Sequence, residues 1–116
     1  MKILLVDDEV ELVSAIAERL SLRGIDADWT DSGEKALGMA EKCEYDLAIL
    51  DMKMPKLSGL ELRRLLSEKY PAMKFIFLSG HGSEADYKAG SAEAVSYLIK
   101  PIQIEELVAK IEEATQ

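Results

Sequence analysis

Four groups able to bind phosphate or metal stand at the ends of short apolar runs. They are Asp7-Asp8 after Ile3-Leu4-Leu5-Val6, Asp51 after Leu47-Ala48-Ile49-Leu50, Ser79 after Phe75-Ile76-Phe77-Leu78, and Lys100 after Val95 to Ile99. Each acid alone is as readily a helix cap or a solvated side chain; their joint placement with Lys100 is what argues for chemistry. Three carboxylates brought together repel, so one must hold a proton at raised pKa or a cation must sit among them. Oxygen ligands without His or Cys suit a hard ion, Mg²⁺ or Mn²⁺. An Asp carboxylate beside a metal, an ammonium and a hydroxyl can attack phosphorus, and Asp51 is the candidate nucleophile. The metal and Lys100 would neutralise the equatorial oxygens of a transferring phosphoryl group.

These residues need a sheet to bring them together. The runs before Asp51 and Ser79 are too short for helices and too uniformly apolar for half-exposed strands, so they read as strands buried on both faces. Pro55 prevents the Asp51 strand from continuing. Between the runs, Val13, Ile16, Ala17 and Leu20 recur at helical spacing, and Gly24 suits the end of that helix. Asp26 to Thr30 alternates Ala27 and Trp29 with acids, as an edge strand with one wet face does. Asp31 with Glu34, and Ser58 with Glu61, have the spacing of capping boxes for the second and third helices. Ser83 with Asp86 starts a poorly specified fourth helix interrupted by Gly90. Ile104, Leu107, Val108 and Ile111 form one face of the fifth.

Five β-α units predict a parallel sheet with helices on both sides. All strand ends then lie on one edge, and the first strand, being central, lies beside the third. Neither Gly-x-Gly-x-x-Gly after the first strand nor a Gly-x-x-x-x-Gly-Lys-Ser/Thr loop is present. The chain, residues 1–116, reads as one domain without repeats or linkers. Its net charge of −8 argues against nucleic acid or an anionic membrane as a direct partner. No signal peptide or membrane span is visible, and the single Cys43, read as a packing residue, excludes an internal disulfide. The expected location is the reducing cytoplasm.

The acid pair after the first strand, Asp51-Met-Lys-Met-Pro55 followed by Gly59, Ser79-Gly80, and Tyr97-Leu-Ile-Lys100-Pro101 together resemble the receiver domain of two-component response regulators. The resemblance covers essentially the whole chain. It implies a flavodoxin-like sheet of strand order 2-1-3-4-5 with five helices, and no attached effector domain within these residues. It implies that Asp51 accepts phosphate from a sensor histidine kinase or phosphotransfer protein. Asp7, Asp8, Asp51 and the Lys53 carbonyl would hold Mg²⁺, Lys100 and Ser79 would meet the phosphoryl group, and Tyr97 would swing inward behind Ser79. Pro101 would follow a cis bond, and the fourth helix, fifth strand and fifth helix would control an effector domain or protein. The Ser79-to-Lys100 segment is slightly short for the family, with Glu93-Ala94 where Gly-Ala is common. The Lys53 side chain and His81 stand where they could modulate the pocket, so Lys53→Ala is expected to alter phosphate lifetime.

Two other functions compete with a switch that is not a turnover enzyme. An aspartyl-nucleophile phosphatase resembling haloacid dehalogenases would want a second Asp at position 53, where this chain has Lys, and a cap domain. A phosphorylation-independent interaction module would need no reactive pocket at all.

Overall fold

The structure, a computed structural model, describes residues 1–80 and 96–116. The predicted fourth helix, the Glu93-Ala94 departure and His81 lie outside the described residues. Within these, β1 (Lys2–Val6), α1 (Val10–Leu22), β2 (Asp26–Thr30), α2 (Gly33–Lys42), β3 (Leu47–Asp51), α3 (Gly59–Lys69), β4 (Lys74–Ser79), β5 (Ser96–Ile99) and a C-terminal helix (Ile104–Thr115) follow one another. All strand pairs are parallel, and the sheet order is β2-β1-β3-β4-β5. This is the predicted flavodoxin-like order.

The continuous apolar runs are explained by the two layers they serve. Side chains alternate across a strand, so Ile3, Leu5, Leu47 and Ile49 face one core with α1 and the C-terminal helix. Leu4, Val6, Ala48 and Leu50 face a second core with residues of α2 and α3. Each such Leu or Ile contributes roughly 1.5–3 kcal/mol by leaving water, enough to fix the register of the central strands.

Local signals set most element ends. Gly24, at φ +78°, ends α1 in the left-handed conformation, with the N–H groups of Gly24 and Ile25 donating to the Ser21 and Leu20 carbonyls. Ser58 caps α3 as predicted, accepting from the Glu61 N–H at 3.2 Å. At α2 the cap is Ser32, accepting from the Lys35 N–H, and the predicted Asp31 cap is corrected. The Asp31 carboxylate is instead engaged by Lys35 Nζ at 3.0 Å. Trp29, predicted inward on β2, is 39% exposed, on the strand at the edge of the sheet.

Candidate functional site

Register brings the strand ends into line. Val6 pairs with Leu50, so one further step along each strand sets Asp7 beside Asp51. Asp51 in turn pairs with Leu78, and Ser79 with Ile99, whose successor Lys100 donates its N–H to the Ser79 carbonyl at 2.8 Å. Behind Asp51, Gly59 N–H donates to the Met52 carbonyl, and a Cβ at Gly59 would collide with the Asp51 carbonyl. Glycine there lets the start of α3 close onto the strand end.

The side chains converge on Lys100. Its Nζ lies 2.6 Å from Glu9 Oε1, 2.9 Å from Asp7 Oδ2 and 3.5 Å from Asp51 Oδ1. The Asp7 and Asp51 side chains are buried, at 1% and 6% exposed, that of Lys100 is half-buried at 13%, and that of Glu9 is 61% exposed. Asp7 is fixed by its N–H to the Thr30 carbonyl and by the Glu9 N–H, which donates to Asp7 Oδ1 at 2.9 Å. The Lys100–Pro101 peptide is cis.

Burial is the first cause of the site's electrostatics. It pushes the Asp51 carboxyl up to about 7; Asp7 adds to the rise, Lys100 opposes it, Asp8 adds again and the Lys53 N–H opposes. Burial also raises Asp7 above the usual carboxylate range, against the pull of Lys100 and the Glu9 N–H. For Lys100 burial works against the charge, but Asp7 and Glu9 outweigh it and hold its pKa above the ordinary lysine value. One ammonium therefore faces more negative charge than it can neutralise, which favours the protonated form of the Asp51 carboxyl.

This donor set fits a hard divalent cation. One carboxylate oxygen from each of Asp7, Asp8 and Asp51 lies within 4.8 Å of the others. Asp7 Oδ2 is buried without a hydrogen bond, since Lys100 at 2.9 Å is an ion-pair neighbour not aligned to donate. The Lys100 ammonium balances one of these buried negative charges, and a bound cation would balance the remainder. An all-oxygen set is the choice of Mg²⁺ or Mn²⁺.

The other predicted residues differ in burial. Asp8 is exposed, and the Lys53 side chain also lies on the surface. Ser79 is buried at the end of β4, its hydroxyl donating to the Gly80 carbonyl at 3.1 Å. Tyr97, paired with Phe77, is half-buried against the core layer of α2 and α3. Sequence reasoning missed Glu9. Its only signal was its place directly after the acid pair, just before α1 begins at Val10.

The comparisons with known proteins agree with this fold. A sequence profile described as the response regulator receiver domain matches residues 3–112. The chain is 35% identical over 112 residues to the two-component response regulator PhoP of Pseudomonas aeruginosa, covering 96% of this chain and 50% of that protein. It is 39% identical over 111 residues to the transcriptional regulatory protein CpxR of Escherichia coli K12, covering 95% and 47% respectively. The chain thus spans about half the length of these curated relatives. A receiver domain crystal structure from Clostridium thermocellum superposes with a TM-score of 0.89 at 33% identity, covering 98% of this chain and 93% of the other. Among the described residues no helix is long and apolar enough to cross a membrane. By sequence and by architecture, the chain belongs to the response regulator receiver domain family.

Proposed function

We propose that this receiver domain is a phosphorylation-dependent switch that takes a phosphoryl group onto Asp51 from a phosphohistidine of a sensor kinase or phosphotransfer protein. One observation carries the reading: the Asp51 carboxylate, at the buried end of β3, faces Lys100 Nζ at 3.5 Å within the cluster formed with Asp7 and Asp8. A carboxylate oxygen of Asp51 attacks phosphorus as the P–N bond breaks, and the departing imidazole nitrogen keeps the electron pair. Asp7, Asp8, Asp51 and the Lys53 carbonyl would hold a divalent cation, which would supply positive charge toward the phosphoryl oxygens. Lys100 supplies a second cation to the same oxygens.

The Ser79 hydroxyl would exchange the Gly80 carbonyl for a phosphoryl oxygen, and Tyr97 would move with it. That change biases the surface formed by the segment between β4 and β5, by β5 and by the C-terminal helix, which acts on an effector domain or protein. Lys53 and His81 stand as modulators of the phosphate's lifetime. The chain acts as a switch and not as a turnover enzyme for an external substrate.

Incubation with Mg²⁺ and acetyl phosphate, followed by intact mass, tests the reading. The expected result is one phosphoryl adduct, lost in Asp51→Asn and without the metal. No adduct on the unaltered chain would favour a phosphorylation-independent module, and continuous turnover of phosphate esters would favour a phosphatase.

A further inference from the structure

Glu9 is the N-cap residue of α1, yet its side chain makes no cap hydrogen bond. Glutamate is a poor N-cap, its carboxylate carried one methylene too far out for the short loop back to the helix N–H groups. Instead it reaches across 91 residues of sequence, and Lys100 Nζ donates to its Oε1 at 2.6 Å. Of the three carboxylates around this ammonium, Glu9 is the nearest and the one with hydrogen-bond alignment, whereas Asp51 is the most distant. The contact stands at the mouth of an open groove of about 450 Å³ lined by Glu9, Leu12, Gly80, Lys100 and Pro101.

We propose that Glu9 is a positioning residue, a latch that holds the Lys100 ammonium toward the rim and competes with incoming phosphoryl oxygens for it. The inference rests on the reading of Asp51 as phosphoacceptor and adds a determinant that reading lacks. Lys100 has three N–H donors; the short hydrogen bond to Glu9 fixes where the ammonium sits, so the Glu9 carboxylate and incoming phosphoryl oxygens compete for its position and charge. Because Glu9 is largely exposed, the contact is worth only what a surface ion pair is worth, and it can open readily. The latch therefore tunes donor affinity and does not block the chemistry. Its removal acts alike on bound donor and transition state, so it changes half-saturation and leaves the saturated rate nearly constant.

The test compares the unaltered chain with Glu9→Gln and Glu11→Gln, using acetyl phosphate concentration series at saturating Mg²⁺ read by intact mass. Glu11 is an exposed acid of the first turn of α1 and controls for general loss of charge. The expected result is about a threefold fall in half-saturating acetyl phosphate for Glu9→Gln, shrinking at high salt, and little change for Glu11→Gln. Mg²⁺ affinity by calorimetry is expected to change less than about twofold, since the latch is not a metal ligand. An unaltered chain that forms an adduct while Glu9→Gln matches it, or matches Glu11→Gln, overturns the latch and leaves the phosphoacceptor reading intact. A loss of Mg²⁺ affinity beyond about tenfold in Glu9→Gln would also overturn it, by making Glu9 a ligand. No adduct on any of the three chains would instead remove the reading on which the latch depends.

Discussion

At the edge of the sheet where strands begin, Lys2 Nζ lies 3.8 Å from Asp26 and 3.6 Å from Asp28, and Tyr45 Oη donates to Asp28 at 2.7 Å. At the edge where they end, Lys100 faces Asp7, Glu9 and Asp51. Both edges combine one lysine with several acids, but the first lysine is 32% exposed and the second 13%. Water solvates the first group, so its ion pairs matter little. Burial strips water from the second, leaving Asp51 with a carboxyl pushed up to about 7 and Asp7 with a buried oxygen lacking a donor. The difference teaches that residue type alone does not make a site; depth decides which cluster is under electrostatic stress and can be relieved by a bound cation or phosphate.

The comparison breaks most visibly if Lys100 is removed. Lys100→Met leaves Asp7 and Asp51 buried without their ammonium, and such uncompensated charge costs roughly 3 kcal/mol or more. The loss is expected at pH 8 with a chelator present, and should shrink near pH 5, below the value to which burial pushes the Asp51 carboxyl. Denaturant melts at the two pH values measure it. Equal losses at both would mean that the charge crowding is not what Lys100 relieves.

Asp51→Asn should act in the opposite direction. The carboxyl titrates near 3.8 when unfolded and about 7 when folded, so the folded chain holds the extra proton between those values. The associated stability is complete below the lower value and is lost as pH rises through the upper one. At pH 8 without metal the neutral amide should therefore be more stable than the acid by about 2–4 kcal/mol, with the gain vanishing toward pH 4. A variant no more stable than the unaltered chain at pH 8 would show that Asp51 is not strained.

The strained edge was also the more legible one in the sequence. Continuous apolar runs ending in Asp7, Asp51 and Ser79 disclosed both the parallel sheet and the residues at its rim, because a strand buried on two faces leaves no ambiguity about period. Lys100, by contrast, follows the edge strand β5 with its Ser96 and exposed Ile99. What failed to show were matters of side-chain reach. Glu9 was not singled out, since nothing local reveals a partner 91 residues away. The hydroxyl of Ser79 turns to the Gly80 carbonyl, a rotamer that no pattern encodes. Asp31 and Ser32 are both good caps, and the choice between them was made by Lys35, which drew the Asp31 carboxylate away. Trp29 was placed inward by alternation, but alternation says only which face a residue takes and not whether that face is covered.

The smallest effect belongs to the solvated edge and sharpens the comparison from the other side. Tyr45→Phe removes the hydroxyl that donates to Asp28, a part-buried contact, while Lys2 and water remain available to that carboxylate. The cost should be about 1 kcal/mol, the net worth of one hydrogen bond. It should be the same at pH 5 and pH 8, because burial and the neighbouring Asp28 raise the Tyr45 hydroxyl pKa, keeping it protonated throughout. Mg²⁺ should not change it either, whereas Lys100→Met and Asp51→Asn alter groups whose charge balance the cation would reset. Thermal melts of Tyr45→Phe with and without Mg²⁺ make the distinction. A metal-dependent cost would couple the two edges through β1 and β3, and depth alone would then no longer explain why they behave differently.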